Sequence, residues 1–187
     1  MSTGTNNTAG GIGIGGYHVE GGGVLANVRD IRLSLMVAGP VRALRGPEFR
    51  RGQQGRGHMV YNPSERFIRA MRSSILTALG EGGGPVFGRR VPLRVEVAFY
   101  LRRPQSHFRD GTRDVNNLKQ SHPHRELHVT SPNFDNLVKF VLDVFTGIAY
   151  YDASVVQAVC VTKEFDDVGD CSGHTHITIT PLIITIN

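Results

Sequence analysis

The period of the hydrophobic pattern changes along the chain, and this change limits what the chain can fold into. Four segments alternate apolar and polar residues, which is the pattern of a strand with one buried face. Two segments instead repeat apolar residues at the spacing of an amphipathic helix. The predicted strands span 31–37, 91–101, 154–162 and 175–186, with a further short strand at 59–61, and the predicted helices span 63–79 and 137–145.

The order of these elements, β–α–β–long loop–α–β–β, is typical of an α+β domain. We predict one small domain over residues 30–187, with a mixed or antiparallel sheet of about four strands and two helices on one face. Residues 1–29 offer little apolar area to bury, with nine glycines in the first 23 positions, so we predict a disordered tail. The Arg- and Gly-rich segment 42–57 is predicted to be a mobile, basic loop.

Charge is distributed unevenly along the chain, whose formal net charge is +5. Residues 42–103 contain 13 arginines, no lysine and four acids, whereas residues 131–170 contain seven acids and two lysines. Arginine makes the two-point hydrogen bonds that suit phosphate oxygens, so the first segment favours a phosphate-rich partner. The acidic segment favours a bound metal ion. The alternative for the arginines is a solvated surface without a partner.

Two acids of the acidic segment flank the short predicted helix. Asp135 precedes the helix, and Asp152 follows the glycine turn after it. Two carboxylates from separate elements, if brought together, repel each other and favour a divalent cation. Mg²⁺ takes hard oxygen ligands at about 2.1 Å and keeps several waters, so two or three carboxylates suffice. Asp135 taken alone is also explained as a helix N-cap.

Two further charged residues fall on the same predicted helix. Lys139 lies four residues after Asp135, which places both on one face about 6 Å apart along the axis. Its ammonium can stabilise charge near a scissile phosphate, pair with Asp135, or do both. Asp143 lies about 12 Å from Asp135 along the helix, too far to share an ion with it. We therefore predict that Asp143 is a partnered acid that either has a structural role or supports the residues around the metal.

Three runs of the sequence match the motifs of a known family. Residues 102–108 read RRPQSHF, residues 131–143 read SPNFDNLVKFVLD, and residues 147–156 read GIAYYDASVV. These runs resemble those of the RusA-like Holliday junction resolvases, which carry D-x-D-N-L-x-K, an L/F-D-A-L helix, a glycine turn and Y-x-D-D-x-x-V. Many phage members also carry R-P-x-S-H-[YF]. The resemblance is strongest over residues 102–165 and extends over 31–182 in layout.

The resemblance implies a homodimer that binds a four-way DNA junction and nicks two opposed strands, using Mg²⁺ or Mn²⁺ in its place. It implies that Asp135, Asp152 and Asn133 bind the metal and that Lys139 acts with Asp135 and Asp152 in catalysis. The family has Asp where this chain has Asn133, which keeps a carbonyl oxygen but removes a negative charge. A junction-binding protein with weakened or lost cleavage is therefore the alternative. The predicted DNA contacts are Arg50, Arg51, Arg56, Arg102, Arg103, His107 and Asn136.

Histidines in the long loop 104–132 suggest a second, less favoured type of site. Zinc commonly takes imidazole ligands, and a zinc-dependent interaction protein is the corresponding alternative function. However, no cysteine accompanies the histidines, and their spacing differs from that of structural zinc sites. A polar loop that faces phosphate is the preferred interpretation. The histidines concerned are His107, His122, His124 and His128.

Sequence signals for targeting are absent. No run approaches the ~18 apolar residues that a membrane span requires, and no basic region followed by an apolar stretch marks a secretory signal. Cys160 and Cys171 have no metal-type spacing and are predicted to be reduced thiols. We therefore expect a soluble intracellular protein that acts where DNA recombines. That place is the cytoplasm or nucleoid for a bacterial or phage protein, and the nucleus or viral factory for a eukaryotic viral one.

Overall fold

The computed structural model describes residues 13–20, 31–39, 41, 43, 48–51, 58–61, 64–79 and 84–182. Two helices and seven strands occur in these residues, together with short 3₁₀ helices at Gln105–His107, Val115–Asn117 and Ala153–Val155. The elements are β1 (Gly13–Glu20), β2 (Arg32–Ala38), β3 (Glu48–Arg51), β4 (His58–Tyr61), α1 (Glu65–Leu79), β5 (Leu93–Leu101), α2 (Phe134–Phe145), β6 (Val156–Phe165) and β7 (His174–Pro181).

The main sheet is mixed and has the strand order β1-β2-β7-β5-β6. Its neighbours pair antiparallel except β5 and β6, which run parallel and therefore need a crossover connection. That crossover contains the long loop and α2. β3 and β4 form a separate two-stranded antiparallel pair. The predicted α+β class with a mixed sheet and two helices is confirmed, and the main sheet has five strands.

One face of the sheet is apolar and packs against both helices, as predicted. Alternate residues of β2, β5 and β7 point to this face because successive side chains of a strand point to opposite sides. Each large apolar side chain that is fully buried there stabilises the fold by about 1.5–3 kcal/mol. The buried set contains Leu33, Leu35 and Val37 from β2, Leu93, Val95, Val97, Phe99 and Leu101 from β5, Ile177 and Ile179 from β7, Met71 and Ile75 from α1, and Leu137, Phe140, Val141, Val144 and Phe145 from α2.

Two strands lie where the sequence analysis predicted irregular structure. β1 falls within the predicted disordered tail 1–29, and β3 falls within the predicted mobile loop 42–57. The prediction is therefore wrong for these two segments. β1 pairs antiparallel with β2 through main-chain hydrogen bonds, which a glycine-rich segment can form without a buried apolar face. The other residues of the predicted tail lie outside the described part of the chain.

α2 begins three residues earlier than predicted, at Phe134. The first-turn residues Phe134 and Asp135 are exposed, so they add nothing to the apolar period from which the helix was predicted. Asn133 is the N-cap residue, with an extended backbone and no side-chain capping hydrogen bond. Asp135 is consequently inside the first turn, and the alternative that Asp135 is itself the N-cap is wrong.

Membrane-spanning helices are absent from the described residues, where the longer of the two helices has 15 residues. Both cysteines are free thiols, as predicted, with Cys160 exposed and Cys171 buried. Burial raises the pKa of Cys171 to about 11, which keeps that thiol protonated at neutral pH.

Candidate metal centre and nucleic-acid interface

The first two turns of α2 present an acidic and a basic residue, Asp135 and Lys139, to an open groove. Asp135 and Lys139 are exposed and share one helix face, because they are four residues apart. Within the described residues, neither side chain makes a hydrogen bond or an ion pair, so the predicted Asp135–Lys139 pair is not found. The groove has a volume of about 560 Å³ and is lined by Phe134, Asp135, Val138, Lys139, Leu142, Val159 and Val161.

Asp152 lies on the connection between α2 and β6. It caps the 3₁₀ helix Ala153–Val155, and its Oδ1 accepts a hydrogen bond from the Ser154 N–H at 2.8 Å. Hydrogen bonds from the Ser154 side chain and backbone lower the pKa of Asp152, so its exposed carboxylate is ionised at neutral pH. A carboxylate has about four acceptor positions, so coordination capacity remains.

The turn before Asp152 is held by a glycine and a buried tyrosine. Gly147 has φ 82°, and a Cβ at this position would come within 3.0 Å of the Arg72 guanidinium. The Tyr150 hydroxyl donates to the Leu142 carbonyl at 3.0 Å, and burial, together with nearby Asp143, raises the pKa of Tyr150. Asp143 itself is exposed and makes no ion pair within the described residues, contrary to the partnered role predicted for it.

One chain holds Asp135 and Asp152 at opposite ends of α2. The Lys163 ammonium in the second half of β6 donates to the Pro132 carbonyl just before α2, whereas Asp152 follows the turn after α2. α2 and β6 therefore run antiparallel, and the rise from Asp135 to Phe145 alone is about 15 Å. Because a Mg²⁺–oxygen bond is about 2.1 Å, these two carboxylates do not reach a common ion within one chain. The metal role of each remains a prediction.

The donor types at the start of α2 and at Asp152 nevertheless fit a hard divalent cation. Asp135 and Asp152 offer exposed carboxylate oxygens, and the exposed Asn133 amide is not used to cap its helix. Mg²⁺ and Mn²⁺ prefer such oxygen ligands over nitrogen or sulfur. Asn136, a predicted DNA contact, is half-buried in the first turn beside these groups.

Arg103 is a structural residue, and its predicted contact with DNA is wrong. The side chain is fully buried. Its guanidinium donates to the Asp166 carbonyl at 2.8 Å, to Glu126 Oε2 at 3.0 Å and to the Pro123 carbonyl at 2.9 Å. Three protein acceptors on two loop segments therefore take the donors that a phosphate would need.

His107 is also buried, which contradicts its predicted role on the DNA surface. It is 7% exposed, its ring stacks on His122 with centroids 3.6 Å apart, and it meets the edge of Phe165. Burial lowers the pKa of His107, and His122 lowers it further, so the ring is neutral at pH 7. Neutral, buried imidazole gives no charge to attract phosphate.

The other predicted DNA contacts differ in how the structure describes them. Arg102 follows β5 and is exposed. Arg50 and Arg51 belong to β3, of which only the backbone is described, and Arg56 lies outside the described residues. Contacts of these four arginines with DNA stay predictions.

The sequence analysis did not single out Arg89, which contacts Tyr151, the residue before Asp152. Its guanidinium is 4.0 Å from the ring centre of Tyr151, a cation–π contact. Hydrogen bonds from Val86 N–H to the Ile148 carbonyl and from Phe87 N–H to the Ala149 carbonyl join the two loops. Arg89 is separated from Tyr151 by about 60 positions, so no local pattern in the sequence reveals this contact. The only signal in the sequence that could have pointed to Arg89 was the high arginine content of residues 42–103.

Comparison with known proteins identifies the family. Residues 42–180, which are most of the chain and include α2, Asp152 and β6, match the family model for Endodeoxyribonuclease RusA. No curated protein matches the chain. The family consists of nucleases that depend on a divalent metal and bind Holliday junction DNA. The chain therefore belongs to the RusA endodeoxyribonuclease family.

Proposed function

We propose that this protein is a Mg²⁺-dependent endonuclease that resolves four-way DNA junctions by paired nicks. The observation that supports this most directly is the exposed, unpartnered pair of Asp135 and Lys139 on one face of α2. Side chains kept without a protein partner on a rigid helix are available to a metal ion and to phosphate. The protein would act wherever DNA recombines, in the cytoplasm or nucleoid, or in the nucleus or viral factory.

Three residues would hold the metal: Asp135 and Asn133 of one chain, with Asp152 of a second chain. A bound divalent cation would polarise a non-bridging phosphate oxygen and make water more acidic. Asp135 lies in the first turn of α2, where the helix dipole stabilises negative charge. Its carboxylate is exposed and has no basic protein partner among the described residues. Mn²⁺ would substitute, since it prefers the same oxygen ligands.

Lys139 would stabilise negative charge that develops on the phosphate. One helical turn places its ammonium about 6 Å along the axis from Asp135, on the same face of the groove. An ammonium that no protein acceptor holds can follow the phosphate as its charge redistributes. Such a group contributes most when its interaction strengthens in the transition state.

Exposed basic residues would hold the junction arms. Arg102 is exposed at the end of β5, and Arg89 lies over Tyr151 beside Asp152. Arg50, Arg51 and Arg56 would add contacts from the preceding basic segment, and Asn136 would add one near the scissile bond. Each neutralised phosphate contributes about −0.9 to the slope of log K against log salt concentration, so binding should weaken steeply with salt.

We further propose that the protein works as a homodimer whose two chains together complete each metal site. The separation of Asp135 and Asp152 along α2 supports this, because a two-fold axis can bring one end of α2 to the other end in a second copy. The exposed Phe134 and Val159 beside the groove, together with the outer edge of β6, are suited to protein contact.

Mixed dimers test this arrangement. Asp135→Asn and Asp152→Asn chains are co-expressed and purified, and their mass in solution is measured by light scattering. If two chains build each site, a one-to-one mixture regains about a quarter of the native sites, because every mixed dimer keeps one intact pair. Sites built within single chains would leave the mixture as inactive as either variant. A monomeric native chain would contradict the homodimer.

Asn133 supports a second candidate function, that of a junction-binding protein that cleaves weakly or not at all. The amide offers one neutral oxygen where the family has a carboxylate, which reduces the negative charge around the ion. Binding of the junction does not depend on that charge.

The deciding experiment is cleavage of a labelled four-way junction in Mg²⁺ and in Mn²⁺. The native chain, Asn133→Asp and Asp152→Asn are compared at equal junction occupancy. Paired nicks by the native chain that are lost in Asp152→Asn support the resolvase. Binding without nicks, with cleavage restored by Asn133→Asp, supports the second candidate. Cleavage that is unchanged in Asp152→Asn would contradict the proposed site.

A further inference from the structure

Three potential metal ligands converge in the long loop that precedes α2. The ligand atoms of His107, His122 and Glu126 all lie within 4.8 Å of one another. Glu126 Oε2 is 3.7 Å from His107 Nδ1 and 3.3 Å from His122 Nδ1. Two ligand atoms bonded to one zinc-type ion at about 2.0–2.1 Å and a tetrahedral angle lie about 3.3 Å apart. The three side chains are thus already near the spacing that one ion requires.

One nitrogen of this cluster is buried without a partner. His107 is 7% exposed, and its Nδ1 has no hydrogen-bond partner among the described residues. Buried polar atoms in native proteins nearly always have a partner. Glu126 Oε2 lies 3.7 Å from this nitrogen, which is beyond hydrogen-bond distance. A metal ion bound to this nitrogen would give it the partner that the described residues do not.

We propose that His107, His122 and Glu126 bind a transition-metal ion of the zinc type. Two imidazoles and a carboxylate are a common ligand set for Zn²⁺, Co²⁺ and related ions, whereas Mg²⁺ prefers oxygen ligands alone. Three protein ligands suffice, since water can take the fourth position. The site is separate from the proposed nuclease centre and does not depend on it.

The surroundings of the cluster suit this role. Arg103 Nη1 donates to Glu126 Oε2 at 3.0 Å and so orients the carboxylate, and Arg103 is fixed by its other hydrogen bonds. Such partners orient metal ligands and raise affinity. The two rings lie parallel, with an interplanar angle of 7°, so the His122 ring, about 29% exposed, would tilt to direct its lone pair to the ion.

The ion would fasten the segment that leads into α2. Phe165 N–H donates to the Glu126 carbonyl at 2.9 Å, and His128 N–H donates to the Lys163 carbonyl at 3.2 Å. This segment therefore runs along the end of β6 and reaches Asn133 a few residues later. Binding at Glu126 would stabilise the start of α2 without touching the reacting phosphate, so the role is structural.

Metal binding to the full-length chain tests the proposal directly. The chain is stripped with a chelator and titrated with Co²⁺ while its visible absorption is recorded, and Zn²⁺ is then added as a competitor. We expect one Co²⁺ per chain with a Kd below about 10 µM, displaced by Zn²⁺ but not by excess Mg²⁺. His122→Asn should weaken binding about 100-fold or more, and Zn²⁺ should raise the Tm of the native chain but not of this variant.

His124→Asn is the matched control, because His124 lies in the same loop but is exposed and faces Asp167 instead. It should bind Co²⁺ like the native chain, as should Asp135→Asn. Glu126→Gln provides a second ligand variant, and circular dichroism verifies the fold of each. No Co²⁺ binding by the native chain, native-like binding by His122→Asn, or loss of binding in His124→Asn or Asp135→Asn would overturn the proposal.

Discussion

The two ends of the crossover between β5 and β6 use charged residues in opposite ways. At its start, Arg103 is fully buried and donates to the Asp166 carbonyl, Glu126 and the Pro123 carbonyl. At its end, Asp135 and Lys139 are exposed on one face of α2, and neither has a protein partner among the described residues. In the first region the charged group bonds to protein atoms and holds a loop in place. In the second region the charged groups remain available to a ligand.

Burial and hydrogen bonding distinguish charged residues with a structural role from those available for function, whereas residue type does not. Arg102 and Arg103 are neighbours in one motif, yet Arg102 is exposed and Arg103 has the lowest exposure of any arginine described. Burying a charge is tolerated only when partners replace its water, so a buried and fully bonded arginine indicates structure. An exposed and unbonded charge on a rigid element indicates a site for a ligand.

The largest expected effect is on catalysis, from Asp135→Asn. We expect junction cleavage to fall by about 10³-fold or more, since removing a principal catalytic group has such effects. The free energy of unfolding should change by less than about 0.5 kcal/mol, because the carboxylate is exposed and unpartnered. Single-turnover cleavage and urea unfolding measure the two quantities. A large loss of stability would mean that Asp135 has a structural role.

The next largest effect is on stability, from Arg103→Met. Removing one partner of a buried pair costs about 3–5 kcal/mol, because Glu126 and two carbonyls lose their donor. Urea unfolding measures the loss, and Arg102→Met serves as the control with an expected change below about 0.5 kcal/mol. Equal effects of the two substitutions would remove the contrast between the neighbours.

Acid should also destabilise the Arg103 region through Asp166. Burial alone would raise the pKa of this carboxyl, but hydrogen bonds from His174, Gly173 and Val168 outweigh burial and lower it. A lowered pKa in the folded state contributes stability above the unfolded value of 3.8, and this stability is lost as pH falls through the folded pKa.

Asp166→Asn tests that assignment. At pH 7 it should cost about 1–3 kcal/mol, and the difference from the native chain should shrink as the pH falls below about 4. Urea unfolding between pH 7 and pH 2.5 provides the measurement. A difference that stays constant over this range would show that the charge of Asp166 is unimportant.

Lys139→Met should lower the cleavage rate by about 10- to 100-fold while leaving junction binding nearly unchanged, since its ammonium is expected to act mainly in the transition state. Methionine has a high helix propensity, so the substitution removes the charge and preserves the helix. Equal losses in cleavage and in binding would instead assign Lys139 to general phosphate contact.

The smallest expected effect is on salt dependence, from Arg102→Gln. If Arg102 neutralises one phosphate, the slope of log K against log salt concentration becomes shallower by about 0.9. Junction binding measured at salt concentrations between about 50 and 200 mM gives the slope. An unchanged slope would place Arg102 outside the DNA contact.

Elements with a strong local period were predicted well. β2, α1, β5 and β6 occur within about three residues of their predicted bounds, and β7 begins one residue before its predicted start. The predicted end of β7 at 186 lies outside the described residues. The start of α2 was missed because its first turn is exposed, and β1 was missed because its strand pairing relies on main-chain hydrogen bonds to β2. The family could be inferred from motif order, and the family match bears that inference out.

The sequence by itself determined the class of fold, the family, and the common helix face of Asp135 and Lys139, because each depends on spacing within one element or on motif order. Only the tertiary structure decided that Arg103 and His107 are buried, that Arg89 meets Tyr151, and that α2 separates Asp135 from Asp152. Burial and proximity of this kind arise from contacts between residues far apart in the chain. No periodic pattern in the sequence indicates such contacts. The same arginine side chain can bind water, phosphate or carbonyl oxygens, and the positions of the surrounding loops decide which of them it binds.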